Sequence, residues 1–272
     1  MTLSVTSSPH IRSNVTTRRL MGDVLIALLP ALAAGVWAFG VRALAVCCLT
    51  MAVCAATELL ASLAMKKPAE ANLSALVTGL LLAMTLPATV PYWVAAIGGV
   101  FAILAAKLLC GGLGRNLLNP ALTARALLML FFPRDLTRFT APGTALPFGS
   151  AVDVVTSATP MHTMQMPAIP EQSLLDMFLG RIPGCIGEVS AIALLLGAIF
   201  MATDYATSPT APRAQIAFGI GCGALTVLFR YFGLFPEGVT YAILLMNGLA
   251  WTFDRFLPPY RYGSALKGGC NR

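Results

Sequence analysis

The chain is built from apolar runs separated by short polar connections, and that pattern leaves few foldable arrangements. The runs cover about 21–40, 43–65, 73–89, 92–110, 119–133, 186–204, 214–233 and 238–257. A helix needs about 20 residues to cross the ~30 Å hydrocarbon layer of a bilayer. Inside lipid every backbone N–H and C=O must be satisfied by the protein, so runs of this length become helices. Only 11% of the 272 residues are charged, against 57% hydrophobic, and the mean hydropathy is +0.79. A soluble domain carries about 25% charged residues, so this chain lacks the polar surface for a water-facing globule. A soluble enzyme and a disordered chain are both excluded. The pattern predicts an all-α, polytopic membrane protein of about eight spans.

Orientation follows from the basic residues. The first twenty residues are polar, carry Arg12, Arg18 and Arg19, and contain no apolar stretch of the signal-peptide kind. With the N-terminus in the cytoplasm, twelve Lys and Arg fall inside and five outside (Arg42, Arg134, Arg138, Arg181 and Arg230), with Arg125 left within a span. The positive-inside bias therefore predicts an N-in, C-in topology. It also accounts for the net charge of +7. No basic patch interleaved with aromatic residues is present, so a nucleic-acid partner is not expected. The layout is a cytoplasmic tail (1–20), five spans (21–133), an extracytoplasmic loop (134–184), three spans (185–257) and a second cytoplasmic tail (258–272).

An internal echo divides the membrane region. Residues 79–91 (GLLLAMTLPATVP) align without gaps on 197–209 (GAIFMATDYATSP), agreeing at five of thirteen positions. Each segment is followed by a Gly-rich span with a basic residue nine positions beyond a glycine: Gly98 to Lys107, and Gly221 to Arg230. The first copy crosses outward and the second inward. Related segments of opposite orientation are the signature of inverted repeats, whose interrupted helices meet near the bilayer midplane. Residues 85–89 and 203–207 are thus expected to be broken-helix tips lining a site or pathway. Ordinary helix ends at the interface are the plain alternative.

Few residues are equipped for chemistry. The seven cysteines form no CxxC and lie mostly in apolar runs, and the two histidines, His10 and His162, are in polar segments. Neither an iron–sulfur cluster, a zinc site nor an intramembrane bis-His haem is expected, and no metal ligands are assigned. Charges within spans cost about 2.5–3.5 kcal/mol each on insertion scales. Glu58 and Arg125 read as pairing with helix neighbours; Asp23, Glu188 and Asp254 lie near span ends. Asp204 sits in the second interrupted segment beside Thr203, which makes Asp204, Thr203 and, in the first copy, Thr85 the candidates for an ion or flavin pathway.

The outer loop contains DVVTSAT at 153–159, followed by Pro160. Without context this is a Ser/Thr turn before a proline. It also fits the pattern recognised by flavin transferases, which use FAD to join FMN through its phosphate to a threonine hydroxyl. That pattern is Asp, two variable residues, Ser or Thr, a small residue, Ala and Thr. The acceptor must be a hydroxyl on a slim, accessible segment able to enter another enzyme's active site. Ser157 and Ala158 keep the segment slim beside Thr159.

Ordered motifs run through the rest of the chain: Ser8-Pro9-His10-Ile11, Thr78-Gly79-Leu80, Leu86-Pro87, Gly111-Gly112-Leu113-Gly114-Arg115-Asn116 and Asn119-Pro120-Ala121. Beyond the 153–159 segment come Pro183-Gly184-Cys185-Ile186-Gly187-Glu188-Val189-Ser190, Met201-Ala202-Thr203-Asp204, Thr207-Ser208-Pro209, Pro236-Glu237-Gly238-Val239 and Asn247. With these the chain resembles the family that contains the D subunit of the Rnf ion-translocating ferredoxin:NAD oxidoreductase and the B subunit of the sodium-translocating NADH:quinone reductase. The resemblance implies an inverted-repeat bundle related in architecture to urea transporters, in the bacterial cytoplasmic (inner) membrane. It implies covalent FMN on Thr159, with Asp153, Thr156, Ser157 and Ala158 as the recognition segment and a flavin transferase as maturation partner. A second, noncovalent flavin between helices is also within the family's range.

Electrons would pass between other Rnf subunits (A, B, C, E and G) while the helices couple their transfer to Na+ or H+ movement. Ferredoxin and NAD would bind those partners, and no residue of this chain is expected to be catalytic by itself. One departure is large. Family members have ten spans, and here Leu194-Leu195-Leu196-Gly197 runs straight from the sixth into the eighth, as though two spans were removed. Two other readings remain open from sequence: a channel or carrier for a small polar solute on the same fold, and a scaffold that only holds partner subunits.

Overall fold

The structure is a computed structural model and describes residues 16–66, 73–104, 118–143, 183–187, 208–209, 211–232 and 238–256. Among the described residues all regular structure is helical, in eight elements. They are α1 (Thr17–Phe39), α2 (Val41–Ala64), α3 (Ser74–Met84), α4 (Tyr92–Phe101), α5 (Pro120–Phe131), α6 (Pro133–Leu136), α7 (Pro212–Phe232) and α8 (Gly238–Phe256).

The first two helices are long enough to cross a membrane, with 23 and 24 residues, or about 35 Å each at 1.5 Å per residue. Thr16 caps α1 by accepting the Arg19 backbone N–H at 3.3 Å. A single residue, Gly40, turns the chain from α1 into α2. Its φ of 74° lies in the left-handed region that glycine enters without a Cβ clash, and its N–H closes α1 on the Val36 carbonyl at 2.8 Å. The outer surface is apolar: Trp37, Leu60, Ile216 and Trp251 are all at least 66% exposed. In water such a surface would aggregate; in lipid it is the expected solvent-facing side.

The next helices are short and central. α3 has 11 residues, about 16 Å, so it does not cross a bilayer alone; α4 has 10 described α-helical residues. α3 is buried along its length, as a helix apolar all round must be. It lies tight against α2, because a Cβ on Gly79 would stand 2.7 Å from Met51 Cα and 2.9 Å from the Thr50 oxygen. Lipid tails are as apolar as Leu, so close backbone approach at small residues is what associates helices in membranes. α4 uses the same device on two sides. A Cβ on Gly98 would meet Leu128 of α5 at 2.6 Å, and one on Gly99 would meet Val53 and Cys54 of α2 at 3.2 and 3.3 Å.

α5 begins at the Asn-Pro of the Asn119-Pro120-Ala121 motif. The Asn119 Oδ1 accepts the Ala121 and Leu122 N–H groups at 3.0 and 3.4 Å, and Pro120 takes a first-turn position where its missing N–H costs nothing. Farther along the chain α7 packs on α8, with Met246 filling the space beside Gly221, and α8 also touches α5.

Candidate functional site

The break expected at Pro87 and Pro91 is present: α3 ends at Met84, residues 85–91 form a tight turn, and α4 begins at Tyr92. The turn packs against the first turn of α2, at Arg42, and not against the middle of that 24-residue helix. The reason is register. Gly79 meets α2 at Met51, and the remaining residues of α3 then run back almost to the start of α2. The first broken tip therefore packs beside the start of α2, at Arg42.

Arg42, counted above as an outer-loop charge, is fully buried. Its Nε donates to the Ala88 carbonyl at 2.8 Å, and its Nη2 donates to the Thr89 and Val90 carbonyls at 3.3 and 3.4 Å. The guanidinium also stands 5.2 Å from the centre of the Tyr92 ring. A turn that has left its helix exposes carbonyls with no intrahelical partner, and a planar cation with five donors satisfies several at once. Hydrogen bonds from a charged donor are worth about 1.5–3 kcal/mol each. The lone Arg in FGVRALAV, flanked by apolar residues and not by a polar loop, was the available signal.

The segment 183–187 supplies the second set of partners. Its Ile186 N–H donates to the Leu86 carbonyl at 3.0 Å and its Gly187 N–H to the Met84 carbonyl at 2.7 Å. The strap fits because two glycines clear its path. A Cβ on Gly35 of α1 would lie 2.6 Å from the Ile186 oxygen, and one on Gly187 would lie 2.9 Å from the Met84 oxygen. Arg125 of α5, 3% exposed, donates from Nη2 to the Cys185 sulfur at 3.3 Å. Arg125, expected to pair with helix neighbours, thus also reaches across the fold to the strap.

Both ends of the outer loop converge on this turn. At one end, Thr89 Oγ1 donates to the Arg138 carbonyl at 2.6 Å, and the Gly143 N–H donates to the Ala38 carbonyl at the end of α1 at 2.8 Å. At the other end is the strap. The described residues on either side of 144–182 therefore both pack at one place in the bundle.

Thr85, the described member of the candidate pathway residues, is buried, and its hydroxyl donates to the Leu82 carbonyl at 2.6 Å. That bond finishes α3 locally. Asp153, Thr156, Ser157, Ala158, Thr159, Thr203 and Asp204 lie outside the described residues. Among the described residues no group of three or more His, Cys, Asp or Glu side chains gathers as a metal site. Asn247, named above only as a motif residue, is buried in α8, and neither of its side-chain polar atoms has a hydrogen-bond partner among the described residues.

Comparison with known proteins gives this architecture a family. The model of the NQR2, RnfD, RnfE family matches residues 4–199 and, in a second segment, 193–263. The chain is 39% identical to the D subunit of the Na(+)-translocating ferredoxin:NAD(+) oxidoreductase complex of Acetobacterium woodii, over 97% of this chain and 96% of the relative. It is 34% identical to the D subunit of the proton-translocating ferredoxin:NAD(+) oxidoreductase complex of Clostridium ljungdahlii, over 96% of each. Identity to the D subunit of the ion-translocating oxidoreductase complex of Stutzerimonas stutzeri is 33%, over 95% of each. The Acetobacterium alignment runs to 317 positions against a chain of 272 residues, so it places gaps in this chain. The family match breaks and resumes at 193–199, the stretch that contains Leu194-Leu195-Leu196-Gly197. The chain therefore belongs to the NQR2, RnfD, RnfE family, as a D-type membrane subunit of an ion-translocating electron transport complex.

Proposed function

We propose that this chain carries FMN on Thr159, in the extracytoplasmic loop, and relays electrons through it within an Rnf-type complex that couples ferredoxin and NAD chemistry to Na+ or H+ movement. The observation that carries the reading is the pairing of the 153–159 segment with a loop whose two ends are tied to one buried turn. A flavin on a slim loop must be open to the transferase during maturation. It must then return to a reproducible distance from its electron partners, and the bonds at Arg138, Gly143 and Ile186 fix the chain on either side of 144–182. Bound FMN supplies one- and two-electron redox chemistry. This chain's own residues anchor the loop and seal the bundle beneath it.

Ferredoxin and NAD are assigned to partner subunits (A, B, C, E and G in the Rnf naming), and the membrane is the bacterial cytoplasmic one. The membrane part is read as an inverted repeat of about eight spans where relatives have ten. Gly98 of α4 receives Leu128 of α5, and Gly221 of α7 receives Met246 of α8. The residue offset relating Gly79 to Gly197 also relates Leu128 to Met246, though not Gly98 to Gly221. That agreement supports the repeat. Gaps in the longer alignment and the restart of the family match at 193–199 support the loss of two spans.

Co-expression with a flavin transferase, followed by a denaturing gel, tests the reading. A fluorescent band abolished by Thr159→Ala is expected. An unlabelled chain that conducts a small polar solute would favour the channel reading instead.

A further inference from the structure

Asn247 lies near the middle of α8, a helix of 19 residues, and is 1% exposed. Neither its Nδ2 nor its Oδ1 has a hydrogen-bond partner among the described residues. Six other buried polar side chains contrast with it: Arg42, Thr50, Thr78, Thr85, Asn119 and Arg125 each bond a named group. An unpaired donor and acceptor at membrane depth carry the full desolvation penalty of both groups. The same face of α8 accepts apolar side chains at Ile243 and Ala250, both buried, so an apolar residue would fit at lower cost. A polar group retained there points to an occupant that the amide recognises.

The amide's two ends define that occupant. A bare cation suits Oδ1 but faces the positive end of the Nδ2–H dipoles, and an anion has the opposite problem. Water donates to Oδ1 and accepts from Nδ2, and it is small enough for a site whose polar atoms are closed off from the surface. Thr240 is seven residues earlier, which returns to nearly the same face of the helix, and it too is buried. The buried face of α8 thus carries two water-compatible groups in sequence.

We propose that Asn247 is a hydration site at mid-depth in the membrane, and that its water belongs to the route by which the translocated ion passes this chain. This rests on the reading of the helices as coupled to ion movement. The shared chemistry is water, either held permanently or arriving as the hydration shell of the ion.

The test uses the intact complex reconstituted in liposomes with selectively labelled asparagine. Water-edited solid-state NMR reads whether water contacts the side-chain amide, identified by the signal lost in Asn247→Leu. The same variant is assayed for ions moved per electron, with flavin fluorescence and electron-transfer rate as controls. The expected result is water contact in the unsubstituted complex, and a coupling ratio reduced by more than half in Asn247→Leu while the flavin band persists. A water contact that strengthens during turnover assigns the water to the ion; a constant one assigns it to the fold, with the route still read from the ratio. No water contact overturns the site, and an unchanged ratio overturns the route. Should Asn247→Leu fail to insert, Asn247→Ser and Asn247→Ala take its place, and coupling retained by Ser but lost by Ala is required. Loss of the flavin band in the unsubstituted complex would count against the flavin assignment and not against this site.

Discussion

The Arg42 Nε sits 2.8 Å from the Ala88 carbonyl oxygen, joining the start of α2 to the turn between α3 and α4 across 46 positions of sequence. This bond and its neighbours hold a stretch of non-helical backbone inside an apolar bundle. Arg42→Met would remove the donors and leave the Ala88, Thr89 and Val90 carbonyls to share whatever remains. Each buried acceptor left unsatisfied costs about 1–3 kcal/mol. The complex should lose several degrees of thermal stability in a detergent melt, with Arg42→Lys intermediate because an ammonium lacks the planar fork. A melt unchanged by Arg42→Met would mean that the turn holds itself.

The close contact of α2 and α3 makes a second expectation. Gly79→Ala places a methyl group 2.7 Å from Met51 Cα, where backbone and not a flexible side chain must move. Overpacking of this kind costs about 1–3 kcal/mol. Gly223→Ala on the open face of α7, with nothing described within 4 Å, should be neutral or stabilising by up to about 1 kcal/mol from helix propensity. Comparing the two melts separates a packing requirement from a general intolerance of substitution.

How much of this was legible in the sequence depends on whether local or long-range information was needed. The long helices were legible from apolar run length: 17–39, 41–64 and 238–256 fall close to the expected 21–40, 43–65 and 238–257. The break was legible because Pro87 and Pro91 cannot continue a helix. Its place beside the start of α2 was not, since nothing local says that Gly79 docks at Met51. Nor could the partners of the freed carbonyls be read, because Arg42 and Ile186 reach them from opposite directions along the chain. Asn247 was visible as a motif residue, but its unpaired burial is a property of packing. The flavin segment itself rests on its pattern of residue types, and the structure contributes the anchoring of the loop's two ends.

Asp204 is expected to act in coupling. Asp204→Asn removes the charge while preserving size, so flavin attachment should persist while ions moved per electron fall. Measurement in reconstituted liposomes, with fluorescence of the same sample as control, decides the matter. Unchanged pumping would remove Asp204 from the route.

Topology makes a further independent expectation. A cysteine introduced beside Thr159 should react with an impermeant thiol reagent in intact cells, because the charge bias places 134–184 outside. Reaction only after lysis would reverse the orientation and put the loop on the wrong side for the proposed modification.

The most direct measurement is the mass of the native chain and of its peptides, purified from cells with abundant flavin transferase. The account predicts one FMN joined by a phosphoester within the peptide spanning 153–163, absent in Thr159→Ala. An unmodified peptide from such cells would contradict it.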